Sequence, residues 1–299
     1  QLSDISGANV GSLGDLLSTR LDSAGVAKRT AQIASVLSRE FPYSLLTQLT
    51  SSYNKQELDA DLQRLVDHGL TDIIGNGYSY AFRHALIRDV AYDSQLRSVR
   101  QALHGKIVDL VDADPKLVDV VPEILLAEHC LAANRTARGI TILLGVIEDA
   151  IRRSALRAPY KMLERVLTLS ETLAVGLERD LVQLKAITLL GPLMTLLEGP
   201  RSAAPLYERG QKLFFALPEA NRQAFFPVLW GWWFTASNLV EQTRRSEILI
   251  RDVTPQADPE SRLQALHCGW ATLFDGEAHD RCLSTISDGL ALYDPIVGQ

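Results

Sequence analysis

Cysteine is scarce in this 299-residue sequence, and the three that are present, Cys130, Cys268 and Cys282, lie far apart. An odd and widely spaced set does not form a disulfide framework and is typical of a reducing compartment. No CxxC pair and no pair of histidines stands at the spacing of a zinc site. The sequence therefore predicts a cytoplasmic protein with no metal ligands.

Long apolar runs are also missing. The nearest candidate, residues 225–234, is shorter than the roughly 20 apolar residues that cross a bilayer, and it contains Pro227 and Gly231. The opening segment, QLSDISGANV, has neither the basic nor the apolar region of a secretory signal. We therefore predict no membrane partner. Because the first residue is Gln rather than Met, we expect the chain to be a piece of a longer protein.

Positive charge is in deficit, since 30 Lys and Arg face 36 Asp and Glu, for a formal net charge of −6. A negative field repels phosphate backbones, so general affinity for nucleic acids is disfavoured. Hydrophobic residues make up 46% of the chain and charged residues 22%, a balance that predicts a folded protein. The length accommodates one large domain or two ordinary ones.

Residues 21–114 carry the periodicity of three helices followed by a short hairpin. Gly69 ends the third helical segment as a C-terminal cap. The dipeptide Asn76-Gly77 predicts a two-residue hairpin turn, because both of its positions favour positive φ. This order of elements is typical of a winged-helix domain. The three helical segments are 26–37, 43–50 and 55–68.

Beyond the hairpin only helical periodicity remains. The longer helices begin near 138, 180, 222 and 260, a repeat of about 40 residues that predicts a solenoid of helical hairpins. The predicted helices are 84–96, 99–112, 122–133, 136–155, 159–174, 179–197, 203–216, 222–240, 243–253, 260–275 and 279–292.

Two families share these patterns. Residues 19–112 resemble the winged-helix part of STAND-type signalling ATPases, through RLDSAGVAKRTAQIASVLSREFPYSLL, LQRLVDHGL and YSYAFRHALIRDVAY. The remainder resembles the tetratricopeptide region of bacterial proteins that begin with a class III adenylate/guanylate cyclase domain, through RDLVQLKAITLLGPLM, FFPVLWGWWF and TLFDGEAH with DGLALYDP. The maltose-regulon activator family is a more distant relative of the same organisation.

The resemblance implies a mainly α fold of three parts. Residues 1–20 are a linker from a missing upstream ATPase domain, which is expected to bind ATP or ADP. Residues 21–114 form a winged-helix domain with a short β-hairpin and the helices that follow it. Residues 115–299 form a tetratricopeptide-like α-α superhelix that is incomplete at its C-terminus. Departures from the family pattern at Pro159, at Val240 and in the spacing of Gly276 and Gly289 blur the repeat boundaries.

The phosphate-binding loop of such ATPases, GxxxxGK(S/T), is missing. Gly105-Lys106 is followed by Ile107 and has no upstream glycine, so it is interpreted as a pair of helical residues. No nucleophile–base pair and no cyclase aspartates are identifiable. The sequence predicts no catalytic residues and no cofactor in this piece, and a self-contained enzyme is the least supported interpretation.

His84 stands out from the other histidines. Its run FRHALIRDVAY is similar to the MHD motif of apoptotic and plant immune STAND ATPases, although Ala85 replaces the motif's aspartate. The resemblance implies that His84 approaches the β-phosphate of bound ADP, with Arg83 and Arg88 near phosphate, and so couples nucleotide state to the winged helix. The alternative is that His84 caps the next helix and both arginines serve solubility. The matching residues are His84, Leu86, Arg88, Asp89 and Ala91.

The third helix carries the wrong charge for reading DNA, because a recognition helix presents Arg, Lys, Asn or Gln. We predict a packing module with no nucleic-acid partner. A DNA-binding transcriptional regulator that acts through the winged helix stays as the alternative function. The charged residues of this helix are Glu57, Asp59, Asp61 and Asp67 against Lys55 and Arg64.

Aromatic residues cluster in the repeat region. FFPVLWGWWF places three tryptophans on one helix, and successive helical residues turn by about 100°, so the three cannot share a face. We predict that Trp230 and Trp233 fill the core between repeats. Trp232 is predicted to face a concave groove, in the company of Trp270 and Phe274 on the next repeat, where a protein or small-molecule effector binds.

Taken as a whole, the sequence predicts a regulatory and protein-interaction module of a bacterial signalling ATPase of the adenylate/guanylate cyclase type. The winged helix relays the nucleotide state of the upstream ATPase domain of the same chain, and the helical repeats bind the effector.

Overall fold

The computed structural model describes residues 5–51, 54–75, 78–253 and 258–292. The protein is mainly α-helical with one small three-stranded sheet. The chain divides into two compact units between Ile142 and Leu143, here called unit 1 and unit 2. Each unit has its own set of packed elements.

Unit 1 contains the sheet and eight helices, the last of which runs on past the division. A 3-10 turn, Pro115–Asp119, lies between the sixth and seventh helices. The elements are α1 (Ile5–Ser23), α2 (Ala27–Leu37), β1 (Glu40–Pro42), α3 (Tyr43–Leu49), α4 (Lys55–Asp67), β2 (Thr71–Ile74), β3 (Ser79–Phe82), α5 (Ala85–Asp93), α6 (Arg97–Ala113), α7 (Glu123–Ala132) and α8 (Thr136–Arg152).

The sheet has the strand order β1-β3-β2, with both pairs antiparallel. β2 and β3 pair in hairpin register from Thr71 opposite Phe82 to Ile74 opposite Ser79. The predicted turn residues Asn76 and Gly77 lie outside the described residues. β1 was not predicted, because a strand of three residues carries too little periodicity to be recognised.

The ends of α4 follow from its sequence. The Asn54 side chain accepts a hydrogen bond from the Gln56 backbone, and Glu57 accepts one from the Asn54 backbone, which is a capping box. At the other end Gly69 adopts a φ of +63°, and the Leu70 amide donates to the Leu65 carbonyl at 2.9 Å. This is the glycine C-cap that the sequence predicted.

The core of unit 1 extends further along the chain than the sequence indicated. Leu117 and Val121 of the turn region, and Leu126 and Cys130 of α7, are buried in the same cluster as the residues of α2 to α6. The sequence placed the domain boundary at 114/115, and these contacts explain why the division falls after Ile142 instead.

The N-terminal segment also differs from its prediction. Residues 1–20 were predicted as a linker, whereas α1 forms a helix over Ile5–Ser23 that packs against α5. Leu21 is buried in the core, and Arg20 Nε donates to the His68 carbonyl at 3.1 Å. The glycines of this segment interrupt its apolar pattern and concealed the helix in the sequence.

Unit 2 consists of the end of α8 and seven further helices. Consecutive helices from α9 to α15 pack against one another, and α10, α12 and α14 also pack in series. The elements are α9 (Arg157–Ser170), α10 (Leu177–Glu198), α11 (Pro200–Ala216), α12 (Phe226–Phe234), α13 (Leu239–Ile248), α14 (Pro259–Asp275) and α15 (His279–Leu290).

One predicted helix of unit 2 is wrong. The sequence predicted a continuous helix over 222–240, but α12 covers only Phe226–Phe234, after two 3-10 turns. Pro227 lies in the first turn of α12, the helical position that proline prefers, because its missing N–H would have no partner there. Asn238 then caps α13, since its side chain accepts from the Glu241 amide at 2.9 Å.

The apolar length of α10 was underestimated. The sequence was predicted to hold no run long enough to cross a membrane, yet by length and composition alone α10 is long and apolar enough. Gln183 and Lys185 interrupt its apolar residues, so a count of uninterrupted runs overlooked it. In the fold α10 packs against α9, α11 and α12, and 39% of its most apolar stretch is buried.

Candidate functional site

His84 lies on the surface between β3 and α5. It occupies the N-cap position of α5, where its backbone carbonyl accepts from the Ile87 amide at 3.0 Å. Its imidazole makes no capping hydrogen bond to the helix. The backbone of His84 therefore begins the helix, while the ring is exposed near Asp72 of β2.

Arg83 is paired across the sheet with Asp72. Its Nη2 lies 2.5 Å and its Nε 3.2 Å from the carboxylate, and both side chains are exposed. The hydrogen bond from Arg83 lowers the pKa of Asp72, and the charge of the nearby His84 adds a smaller effect in the same direction. The positive charge of Arg83 is thus balanced by a partner on the hairpin.

Arg88 has different partners from Arg83. Its Nε donates to the Ser35 carbonyl in α2 at 2.8 Å, and its Nη1 pairs with Asp89 at 3.0 Å. The guanidinium carbon also lies 4.9 Å from the centre of the Tyr92 ring. Arg83 and Arg88 therefore bond to different partners. The structure does not bring the two arginines together with His84 in one anion site.

The acidic residues of α4 have partners within the fold. Asp61 is only 9% exposed and accepts from Thr30 Oγ1 at 2.7 Å, so it does not belong among the charges that this helix would present to DNA. The Tyr43 hydroxyl donates to Asp59 at 2.6 Å, and Glu57 belongs to the capping box. A buried carboxylate opposite a threonine on α2 fastens α4 to that helix.

Two of the three tryptophans of α12, Trp230 and Trp232, differ from their predictions, whereas Trp233 is buried as predicted. Trp232 is 2% exposed, and Trp233 is buried at 5%, whereas Trp230 is half-buried. The prediction that Trp232 faces a groove is therefore wrong. Rotation by about 100° per residue puts Trp230 and Phe234 on one face of α12 and turns Trp232 towards α13.

Trp232 is covered by a buried arginine. The Arg245 guanidinium of α13 lies 4.7 Å from the Trp232 ring centre and donates to the Trp232 carbonyl. The same guanidinium pairs with Glu208 of α11 and Glu241 of α13. Hydrogen bonds from Arg244 and Arg245 lower the pKa of Glu241 to about 2. This cluster joins α11, α12 and α13 and has a structural role.

Trp270 and Phe274 do not join Trp232 in a groove. Trp270 packs over Gly289, where an added Cβ would lie 2.6 Å from the ring, and it meets the His267 ring edge-on at 5.4 Å. His267 lies 6.2 Å from Trp233, so Trp233 rather than Trp232 continues towards Trp270. Phe274 is 64% exposed on the far end of α14.

An uncharged groove of about 770 Å³ lies instead among α10, α11 and α12. We call it the aromatic groove. Trp230 and Phe234 line it as a parallel pair, with ring centres 5.2 Å apart and planes 9° from parallel. Its principal lining residues are Pro192, Pro200, Tyr207, Pro227, Trp230 and Phe234. The proline spacing and the Trp-x-x-x-Phe step were visible in the sequence, but their convergence depends on helix packing.

The sequence also missed a buried pair of histidines in unit 1. His104 of α6 and His129 of α7 approach Nδ1 to Nδ1 at 2.7 Å, and the Tyr92 hydroxyl lies 2.9 Å from His104 Nε2. Burial lowers the pKa of His104 to about 4 and that of His129 to about 3. Both rings are therefore neutral at pH 7, with one Nδ1 donating to the other.

Within the described ranges, no three His, Cys, Asp or Glu side chains are grouped so that they could hold a metal ion. Burial raises the pKa of the Cys130 and Cys268 thiols, which makes both poor nucleophiles. Gly105 and Lys106 lie inside α6, where Lys106 Nζ donates to the Leu49 carbonyl at 2.8 Å.

Comparison with known proteins gives few matches. No family model matches the chain. A curated protein of Rhizobium meliloti, described as uncharacterised, is 29% identical over 292 residues; this covers 96% of the chain but only 28% of that protein. A solved STAND protein with a tetratricopeptide repeat sensor, from Pyrococcus horikoshii, matches 89% of this chain and 44% of its own, at 11% identity and a TM-score of 0.38. Similarity at that level assigns neither a fold nor a function.

Proposed function

We propose that this chain is the regulatory part of a bacterial STAND-type signalling ATPase, with a winged-helix domain followed by tetratricopeptide-like repeats. The observation that carries the proposal is the element order α2-β1-α3-α4-β2-β3 with the strand order β1-β3-β2. In a winged helix, a short strand lies between the first two helices and pairs with the second strand of a hairpin. Here β1 lies between α2 and α3 and pairs with β3. A winged helix whose third helix is acidic favours packing over DNA reading.

The packing in unit 2 supports the second half of the proposal. The helices α10, α12 and α14 contact each other in series, and α11, α13 and α15 follow them as partners. Serial contact between neighbouring helix pairs is the organisation of a helical solenoid. Its pairs begin at 177, 226 and 259, so the repeats are unequal in length. In this proposal the repeats bind a protein or small-molecule effector.

The relay of nucleotide state is assigned to the face around His84. The exposed imidazole of His84 and the guanidinium of Arg83 both lie near Asp72 at the end of β3. A nucleotide phosphate from an upstream ATPase domain would compete with Asp72 for Arg83 and accept a hydrogen bond from the His84 ring. In the full-length protein, for which we propose cyclase activity and a cytoplasmic location, this exchange would couple ADP binding to the position of the winged helix.

The test is the ADP affinity of the full-length protein that contains this chain. His84→Ala is expected to weaken ADP by about 10- to 150-fold, because one charge-assisted contact contributes roughly 1.5–3 kcal/mol. His68→Ala, another exposed histidine of unit 1, is the matched control and should leave the affinity unchanged. Equal affinities for both variants and the wild type would show that His84 does not reach the nucleotide.

A further inference from the structure

The floor of the aromatic groove is built by a tyrosine set between two glycines. Tyr207 of α11 is 3% exposed, and its ring lies against Gly191 of α10 and Gly231 of α12. A Cβ atom on either glycine would overlap the ring. The glycines of α10 and α12 thus leave room for the Tyr207 ring between these two helices. The floor is consequently held in place from both sides.

The wall of the groove presents aromatic surface to the solvent. Phe234 is 43% exposed, although it stacks on Trp230. Pro192 of α10, Pro200 of α11 and Pro227 of α12 add rigid apolar edges around the stack. An aromatic ring that enters the groove would contact the Trp230–Phe234 pair and the Tyr207 floor, since all three residues line it. Stacked aromatic pairs of this kind gain energy beyond the area they bury.

Charge and size restrict the ligand class further. The remaining lining residues are Thr195, Leu196 and Gln264, so no charged side chain lines the groove. A charged ligand would lose hydration there without gaining a counter-ion. Thr195 and Gln264 offer polar contacts, and the volume of about 770 Å³ lies within the range of small-molecule sites.

We propose that the aromatic groove binds a small, uncharged aromatic molecule whose ring packs against the Trp230–Phe234 stack. The proposal rests on the effector-binding role proposed for unit 2 and gives that role a place and a ligand class. A proline-rich peptide, which also packs in aromatic-lined grooves, is the alternative that the experiment separates from it.

The probe for this class is N-phenyl-1-naphthylamine, an uncharged aromatic dye that becomes fluorescent in apolar sites. The full chain is expected to bind it saturably with one site. Phe234→Ala should weaken binding at least tenfold, whereas Phe274→Ala, which alters an exposed phenylalanine outside the groove, should stay within twofold. A second pair of variants distinguishes a loss of binding from a loss of folding. Leu196→Glu on the groove rim should weaken binding at least fivefold, and its neighbour Leu197→Glu should not.

Several outcomes would overturn the proposal. Wild-type protein that does not bind the dye, or matched variants that weaken it equally, would remove the site. Equally tight binding of the sulfonated analogue 1-anilinonaphthalene-8-sulfonate would contradict the uncharged class, and displacement of the dye by a proline-rich peptide would assign the groove to a protein partner. A retained effect of His84→Ala on ADP affinity would show that only the ligand assignment, and not the regulatory role, has failed.

Discussion

Among its buried polar groups, unit 1 holds two imidazoles in contact, those of His104 and His129, and the carboxylate of Asp61 beside Thr30. In unit 2 the corresponding interior holds tryptophans, a tyrosine between glycines and a guanidinium stacked on an indole. Burial lowers the pKa values of the two imidazoles in unit 1, whereas the core of unit 2 is built around large aromatic rings. The stability of unit 1 should therefore respond to pH, and that of unit 2 to the size of its aromatic side chains.

The largest expected effect is in unit 2. Trp232→Ala should lower the free energy of unfolding by roughly 3–5 kcal/mol, because it leaves a cavity beneath Arg245. Trp230→Ala should cost less than half as much, since that ring is half-buried. All four tryptophans lie beyond residue 142, so fluorescence-monitored denaturation reports unit 2. A larger loss for Trp230→Ala would contradict the assigned orientations.

Acid should act on unit 1 next. The folded pKa values of His104 and His129 lie below the ordinary value of 6.5, so the unfolded chain binds more protons between pH 6.5 and 4. Stability is fully present above pH 6.5 and falls as the pH drops through this window, because protonation of the buried imidazoles favours the unfolded chain. Arg88 and Arg100 add positive charge near the pair and act in the same direction.

Hydrogen exchange over residues 97–132 measures this loss separately from unit 2. His129→Phe should flatten the dependence of protection on pH, while His267→Ala, an exposed histidine of unit 2, should leave it unchanged. If the phenylalanine variant retains the full acid sensitivity of the wild type, the carboxylates rather than the histidine pair control this region.

Removing the guanidinium from the unit 2 cluster should have a moderate effect. Arg245→Met keeps much of the apolar stem but loses its hydrogen bonds to Trp232, Glu208 and Glu241, at a cost of roughly 1.5–3 kcal/mol. Arg244→Met, on the same helix with an exposed side chain, should cost less than about 1 kcal/mol. Urea denaturation measures the free energy of unfolding of both variants. Equal losses for Arg245→Met and Arg244→Met would contradict the structural role of the cluster.

The smallest expected signal is the binding of duplex DNA by unit 1. The exposed acidic side chains of α4, Glu57, Asp59 and Asp67, repel phosphate, and the chain as a whole is negative. Fluorescence anisotropy at about 0.15 M salt should show no sequence-selective binding at micromolar protein. Sub-micromolar, sequence-selective affinity would favour the transcriptional-regulator alternative over the packing module.

The sequence predicted local structure far better than it predicted which residues meet. Apart from α1 and the 222–240 segment, helical periodicity located the helices of both units, because that pattern is carried within each segment. The sequence did not show that the predicted helix 222–240 is interrupted, because Pro227 and Asn238 are also compatible with the ends of a longer helix. The orientation of Trp232 and the meeting of His104 with His129 depend on contacts between helices far apart in the chain, which no local pattern encodes.

The candidate sites show the same limit. The place of His84 directly after the hairpin was predicted from the sequence, but the pairing of Arg83 with Asp72 depends on strand register. The aromatic groove requires Tyr207 from α11 to enter the space left by Gly191 and Gly231. Three helices contribute to that arrangement, so neither glycine nor the tyrosine is conspicuous alone.

The most direct test of the account compares the two units in the full-length protein by hydrogen exchange, with ADP bound and with the nucleotide removed. The account predicts that ADP increases protection over residues 79–93, around His84, and leaves residues 259–290 of unit 2 unchanged. Protection around His84 that is the same with and without ADP would contradict the central claim that this face relays nucleotide state.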